Sequence, residues 1–264
     1  MNIYTGEASA TDAVLRALAR KAVGMSGADI ERIVREARQK ARRERRGLHW
    51  SDVDGLLSAS LPTRPESLRW RMALHEAGHV VARVALGLGT IRSVSIDGPT
   101  GGMVMSEAPA EVAETEAFLS SQLVAMLAGR AAEEVLLGSC VAGSGGGSDS
   151  DLARATDLAL QMEVSFGFGA HTPLLHRNAA TLGPMLIARP EIASHVSERL
   201  DSAYAAARQL IRSHEPSVRK VAKAVIEHAV LEGLELETML DSLREDLGRS
   251  SAGIDEEPRR RKRE

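Results

Sequence analysis

The chain has 264 residues, 44% of them hydrophobic but only 3% aromatic, so its core must be built from Ala, Leu, Val and Ile, a composition that favours helices. A formal charge of −3, from 33 basic and 36 acidic side chains, argues against the broad basic surface of a nucleic-acid binder. Cys140 is the single cysteine, which excludes an intramolecular disulfide; with no signal-peptide pattern and no run of about 18 apolar residues, the expectation is a soluble cytoplasmic protein without a membrane span.

Residues 1–10 are small and polar and read as a loose lead-in. A short apolar pattern follows (Val14, Leu15, Leu18, Ala22) and stops at Gly24. Ser26-Gly-Ala-Asp29 has the form of a capping box, with Asp29 in place of Glu or Gln. Behind it Ile30, Ile33, Val34, Ala37 and Ala41 mark one face of a helix. The basic run Arg42 to Arg46 reads as a solvated helix end favourable to the macrodipole. His49 to Leu57 predicts a short helix with Ser51 as its cap, and Pro62 and Pro65 mark a linker. One long helix is predicted over Ser67 to Leu86, stopped by Gly87 and Gly89. The alternation in Ile91 to Ile96, the turn residues Asp97 to Gly102 and the run Met103 to Met105 predict a β-hairpin. Further helices are predicted over Glu111 to Leu137, Leu152 to Val164, Ile192 to Ser213 and Pro216 to Leu231. Gly143 to Ser148 is a loop by composition, and Asp255 to Glu264 a disordered charged tail.

The chemistry concentrates in His75-Glu-Ala-Gly-His79, in the middle of the predicted helix. Two imidazoles four residues apart stand one turn above each other and can share one ion at about 2.0–2.1 Å. Glu76 flanks the pair, placed to act as a general base on a water whose pKa zinc lowers toward about 7. A catalytic zinc takes a third protein ligand. No nearby histidine offers itself, since His171, His176, His195, His214 and His228 lie far downstream and read as surface residues. Glu133, Glu134, Asp149, Asp151 and Asp157 are carboxylate candidates among which the residues alone do not choose.

HEAGH, then Gly129-Arg-Ala-Ala-Glu-Glu134, then Ser148-Asp-Ser-Asp-Leu-Ala-Arg-Ala-Thr156, together resemble the peptidase domain of the FtsH family of AAA zinc metalloproteases. The resemblance covers roughly residues 62–245 and implies Zn2+ held by His75, His79 and Asp151, with Glu76 as catalytic base. It makes Glu133 an outer partner of the site, and Ser150 stands where the family has Asn. Leu18-Ala-Arg-Lys and Gly24 to Ile30 are similar to the helical lid of an AAA ATPase. No G-x-x-x-x-G-K-[ST] phosphate loop occurs in the chain.

The expectation is therefore a mainly α chain: a lid fragment over 1–60, a helical zinc peptidase domain with one small β-hairpin over 61–247, and a tail over 248–264. By resemblance it is a metalloendopeptidase acting on unfolded proteins and assembling as a homo-hexamer, ATP-dependent only when joined to an ATPase core. It is expected to be either part of a larger protein, membrane-associated if that protein is anchored, or a short form without a motor. The competing readings are a catalytically lapsed ring-forming subunit and a zinc hydrolase of non-peptide substrates.

Overall fold

The computed structural model describes residues 14–15, 18–19, 21–22, 25–60, 64–98, 101–109, 111–142, 146–169, 173–176, 189–228 and 230–254. The expected lead-in, Gly24, Pro62, His171, part of the Gly143 loop and the tail from Asp255 lie outside the described residues. Among the described residues the fold is mainly α, with eight helices and a small antiparallel sheet. No helix among them is long and apolar enough to cross a membrane.

Helix α1 (Gly27–Arg43) starts at the capping box: the Ser26 hydroxyl accepts the Asp29 N–H, and the Asp29 carboxylate accepts the Ser26 N–H. It buries Ile33, Ala37 and Ala41, while Ile30 of the expected face is 40% exposed. The basic run is not simply solvated. Arg46 folds back after the helix and grips Asp52 with two 2.6 Å hydrogen bonds, fixing the entry into α2 (Trp50–Ser60). Asp52 also accepts the His49 N–H, whereas Ser51, the expected cap, pairs with the His49 imidazole.

Helix α3 (Glu66–Ala85) carries HEAGH. Its stretch Ala73 to Ala82 is buried except at His75, which is half-buried, the mark of a helix enclosed by neighbours on several sides. Strands β1 (Thr90–Gly98) and β2 (Gly101–Glu107) form the expected hairpin. Helix α4 (Glu116–Leu137) starts later than expected, where the Thr115 hydroxyl accepts the Phe118 N–H, so Glu111 to Glu114 stay outside it. Helices α5 (Asp151–Val164), α6 (Pro190–Ser213) and α7 (Glu215–His228) follow. Val230 and Leu231 leave the helix expected over Pro216 to Leu231 and, with Glu232, form strand β3, pairing Val94 with Leu231 on the side of β1 away from β2. Helix α8 (Gly233–Ile254) continues past Gly248, where the tail was expected to begin.

Helix α3 is the hub: it packs on α4 and α7 and against both hairpin strands. Leu74, Val80 and Val81 of α3 join Val94, Leu123 and Ile211 in one core. Gly78, inside the motif, permits the closest approach, since a Cβ there would lie 2.5 Å from the Ala128 carbonyl oxygen of α4. The motif thus sits in the middle of the domain with a second helix pressed against it.

Candidate metal centre

Helical spacing puts His75 and His79 on one face of α3, and their Nε2 atoms lie 3.1 Å apart. Asp151, the first residue of α5, brings Oδ2 to 2.9 Å from His75 Nε2 and 3.2 Å from His79 Nε2. Ser150, where the family has Asn, caps this helix by accepting the Ala153 N–H at 3.3 Å. Serine and asparagine are both good caps, so Ser150 can fix the start of the helix on which Asp151 stands. Of the other carboxylate candidates, Asp149 and Asp157 are exposed, and Glu134 is turned to Tyr204 and Arg208.

The donor chemistry of this triangle asks for a cation. His79 Nδ1 lies 2.8 Å from the Ala125 carbonyl, which only accepts, so that nitrogen bears the proton and Nε2 presents its lone pair when the ring is neutral. His75 Nδ1 is held in the same way, 2.8 Å from Glu133 Oε1. Two lone pairs and a carboxylate oxygen therefore converge, and only positive charge satisfies all three. A tetrahedral ion bound at about 2.0–2.1 Å sets its ligands about 3.3 Å apart, close to the three edges seen. With protons alone the same demand appears as a charged His75: burial opposes it, but hydrogen bonds to Asp151 and Glu133 push its pKa up to about 10. Asp151 is held well below the usual carboxylate range, burial being outweighed by its hydrogen bonds to His75 and His79.

Two further residues shape the site. Gly129 of α4 faces both imidazole rings, and a Cβ there would lie 2.5 Å from His75 Nε2 and from His79 Nε2. A glycine inside a helix costs about 1 kcal/mol relative to alanine, and here it keeps the space between the imidazoles open. Glu76 is only 6% exposed and points toward the hairpin, where a Cβ on Gly102 would meet its Oε1 at 2.3 Å. Burial pushes the Glu76 carboxyl up, against the pull of His79 and His75. His195, expected at the surface, is half-buried instead, and its Nδ1 lies 3.1 Å from buried Glu163, more than 30 residues away in the chain.

His75, His79 and Asp151 form the one group of three or more His, Cys, Asp and Glu side chains among the described residues placed to hold a metal ion. The model of peptidase family M41 matches residues 64–239, which contain all three, and the AAA+ lid domain matches residues 12–55. The chain belongs to peptidase family M41. It is 32% identical over 256 residues to ATP-dependent zinc metalloprotease FtsH 2 of Sphaerobacter thermophilus, covering 91% of this chain and 38% of that protein. It is 34% identical over 244 residues to ATP-dependent zinc metalloprotease FtsH 1 of Sorangium cellulosum, covering 83% and 39%. A third relative, FtsH 1 of Symbiobacterium thermophilum, is 31% identical over 241 residues, covering 86% and 39%. The chain spans about two fifths of the length of these M41 relatives. Zinc is the metal that the family implies, and the two imidazoles and one carboxylate suit it.

Proposed function

We propose that this chain is a zinc-dependent metalloendopeptidase, with His75, His79 and Asp151 as metal ligands and Glu76 as general base. The observation that carries the reading is the triangle of donor atoms with edges of 2.9, 3.1 and 3.2 Å, one residue along the helix from a buried carboxylate. The metal, when bound, supplies Lewis-acid chemistry that lowers the pKa of water toward about 7 and polarises a carbonyl. Glu76 takes a proton from the attacking water and returns it to the leaving amine nitrogen. Gly102 packs on Glu76 at the start of β2, and β2 is an edge strand in the order β2-β1-β3. Its free edge offers main-chain hydrogen bonds to an extended substrate, which favours unfolded polypeptides over folded ones.

The match to an AAA+ lid domain and the ATP-dependent relatives support assembly as a homo-hexamer, with ATP hydrolysis supplied by an ATPase core joined to this chain. Residues 1–60 then form the lid fragment and 61–247 the peptidase domain. Extracting a chain from a stable fold must overcome roughly 5–15 kcal/mol, work that needs a phosphate-binding loop absent from this sequence. The purified 264-residue chain is therefore expected to degrade casein in a zinc-dependent, chelator-sensitive manner, without ATP hydrolysis or stimulation by ATP, and to spare tightly folded proteins. Measured ATPase activity, or ATP-stimulated degradation of a stable folded substrate, would refute this division of labour. Zinc binding without casein cleavage would refute the peptidase reading.

Gly129→Ala separates the metal site from helix stability. Alanine is the better helix former by about 1 kcal/mol, yet its Cβ would enter the space between the two ligand nitrogens. The variant is expected to keep its helical circular dichroism and lose stoichiometric zinc after dialysis. A wild-type zinc content would show that the rings move aside, and that the space between them is not the metal position.

A further inference from the structure

His75 presents Nε2 to the other ligands only while its Nδ1–H is held by Glu133, and Glu133 is itself held from the far side. Its Oε2 accepts Nη1 of Arg71 at 2.9 Å and the backbone N–H of Val141 at 3.2 Å. The same guanidinium donates to the Ser139 carbonyl at 2.7 Å and to the Ser139 hydroxyl at 3.2 Å. Arg71 stands one turn before His75 on α3, Glu133 is on α4, and Ser139 to Val141 follow the end of α4. One side chain therefore ties two helices and the segment after α4 around a carboxylate that is only 2% exposed.

We infer that Arg71 is a positioning residue of the metal centre, which locks the Glu133 carboxylate so that His75 aims its Nε2 at the ion. The inference rests on the proposal above that His75 ligates zinc. The torsion that orients a glutamate carboxylate is broad, so a single hydrogen bond to His75 leaves its plane free to turn. Donors from three separate points, the His75 ring, the Arg71 guanidinium and the Val141 amide, define that plane. The guanidinium suits the task because its Nη1 donates to both the carboxylate and the Ser139 carbonyl while its Nη2 donates to the Ser139 hydroxyl, and the rigid plane fixes these donors relative to one another, which the flexible ammonium of lysine does not. Arg71 also places a permanent positive charge against a carboxylate that is buried beside one proposed metal ligand.

The test is zinc affinity, measured on the full chain by competition with a fluorescent chelator, with cobalt substitution as a spectroscopic readout. Wild type, Arg71→Ala, Arg71→Lys, Glu133→Gln and the Arg71→Ala/Glu133→Gln double variant are compared below their melting temperatures. Arg71→Ala is expected to weaken zinc binding about 10–100-fold, the range for partners that orient a metal ligand, and to shift the visible bands of the cobalt protein. Arg71→Lys is expected to recover part of the affinity. The double variant should bind no more weakly than Glu133→Gln alone, because Arg71 acts through that carboxylate. Wild-type affinity with an unshifted cobalt spectrum in folded Arg71→Ala would overturn the inference, as would fully additive losses in the double variant. A wild-type protein that bound no zinc would overturn the metal-site reading itself, and this inference with it.

Discussion

Glu76→Gln is expected to retain one zinc per chain while its rate of casein cleavage falls about 10²–10⁴-fold, the usual contribution of a positioned general base. The amide matches the carboxylate in shape, so the packing of Gly102 on this side chain is preserved. Glu76 does not belong to the donor triangle, because His75, His79 and Asp151 supply the three convergent atoms. What the substitution removes is the proposed acceptor for the water's proton. Metal analysis on the same preparation as the kinetic assay decides the outcome. Loss of zinc would make Glu76 a ligand, and full activity would transfer the base to another group.

Asp151→Ala is expected to strip zinc, with a loss of affinity well beyond the roughly 10–100-fold typical of outer partners. It deletes one corner of the triangle, the Oδ2 atom 2.9 Å and 3.2 Å from the two imidazole nitrogens. Asp149→Ala, two residues earlier at an exposed position, is expected to bind zinc as the wild type does. Equilibrium dialysis of the pair makes the comparison within one loop, which controls for local effects on the start of α5. Retention of zinc by Asp151→Ala together with its loss in Glu133→Ala would exchange the roles of the two carboxylates.

Much of this protein is legible in local patterns, because those patterns report local physics. The capping box at Ser26 is a contact between residues three apart, and it forms as its spelling implies. The pairing of His75 with His79 is a property of helical pitch, and the hairpin follows from alternation around a turn. These features need no knowledge of the remaining chain.

The rest was decided by contacts between distant residues. Five carboxylates were compatible with the third ligand position by composition, and only the packing of α5 on α4, which itself lies against α3, brings Asp151 to both imidazoles while Glu134 turns to Tyr204. The residues 230–232 continue an apolar helical pattern, yet become a strand because β1 offers an unpaired edge that satisfies their backbone groups. Asp52, not Ser51, holds the start of α2 because Arg46 swings back to meet it. Arg71 carries a faint local signal, its place one turn before His75, but nothing in that spacing points to Glu133, 62 residues away. Gly129 carries another, a glycine inside a helix, but only the crossing of α3 and α4 shows that the absent side chain leaves room between two imidazoles. Secondary structure and the pairing of His75 with His79 are set by periodicity along the chain, whereas the completed donor set depends on which helices pack together, a long-range energy that no short window of sequence contains.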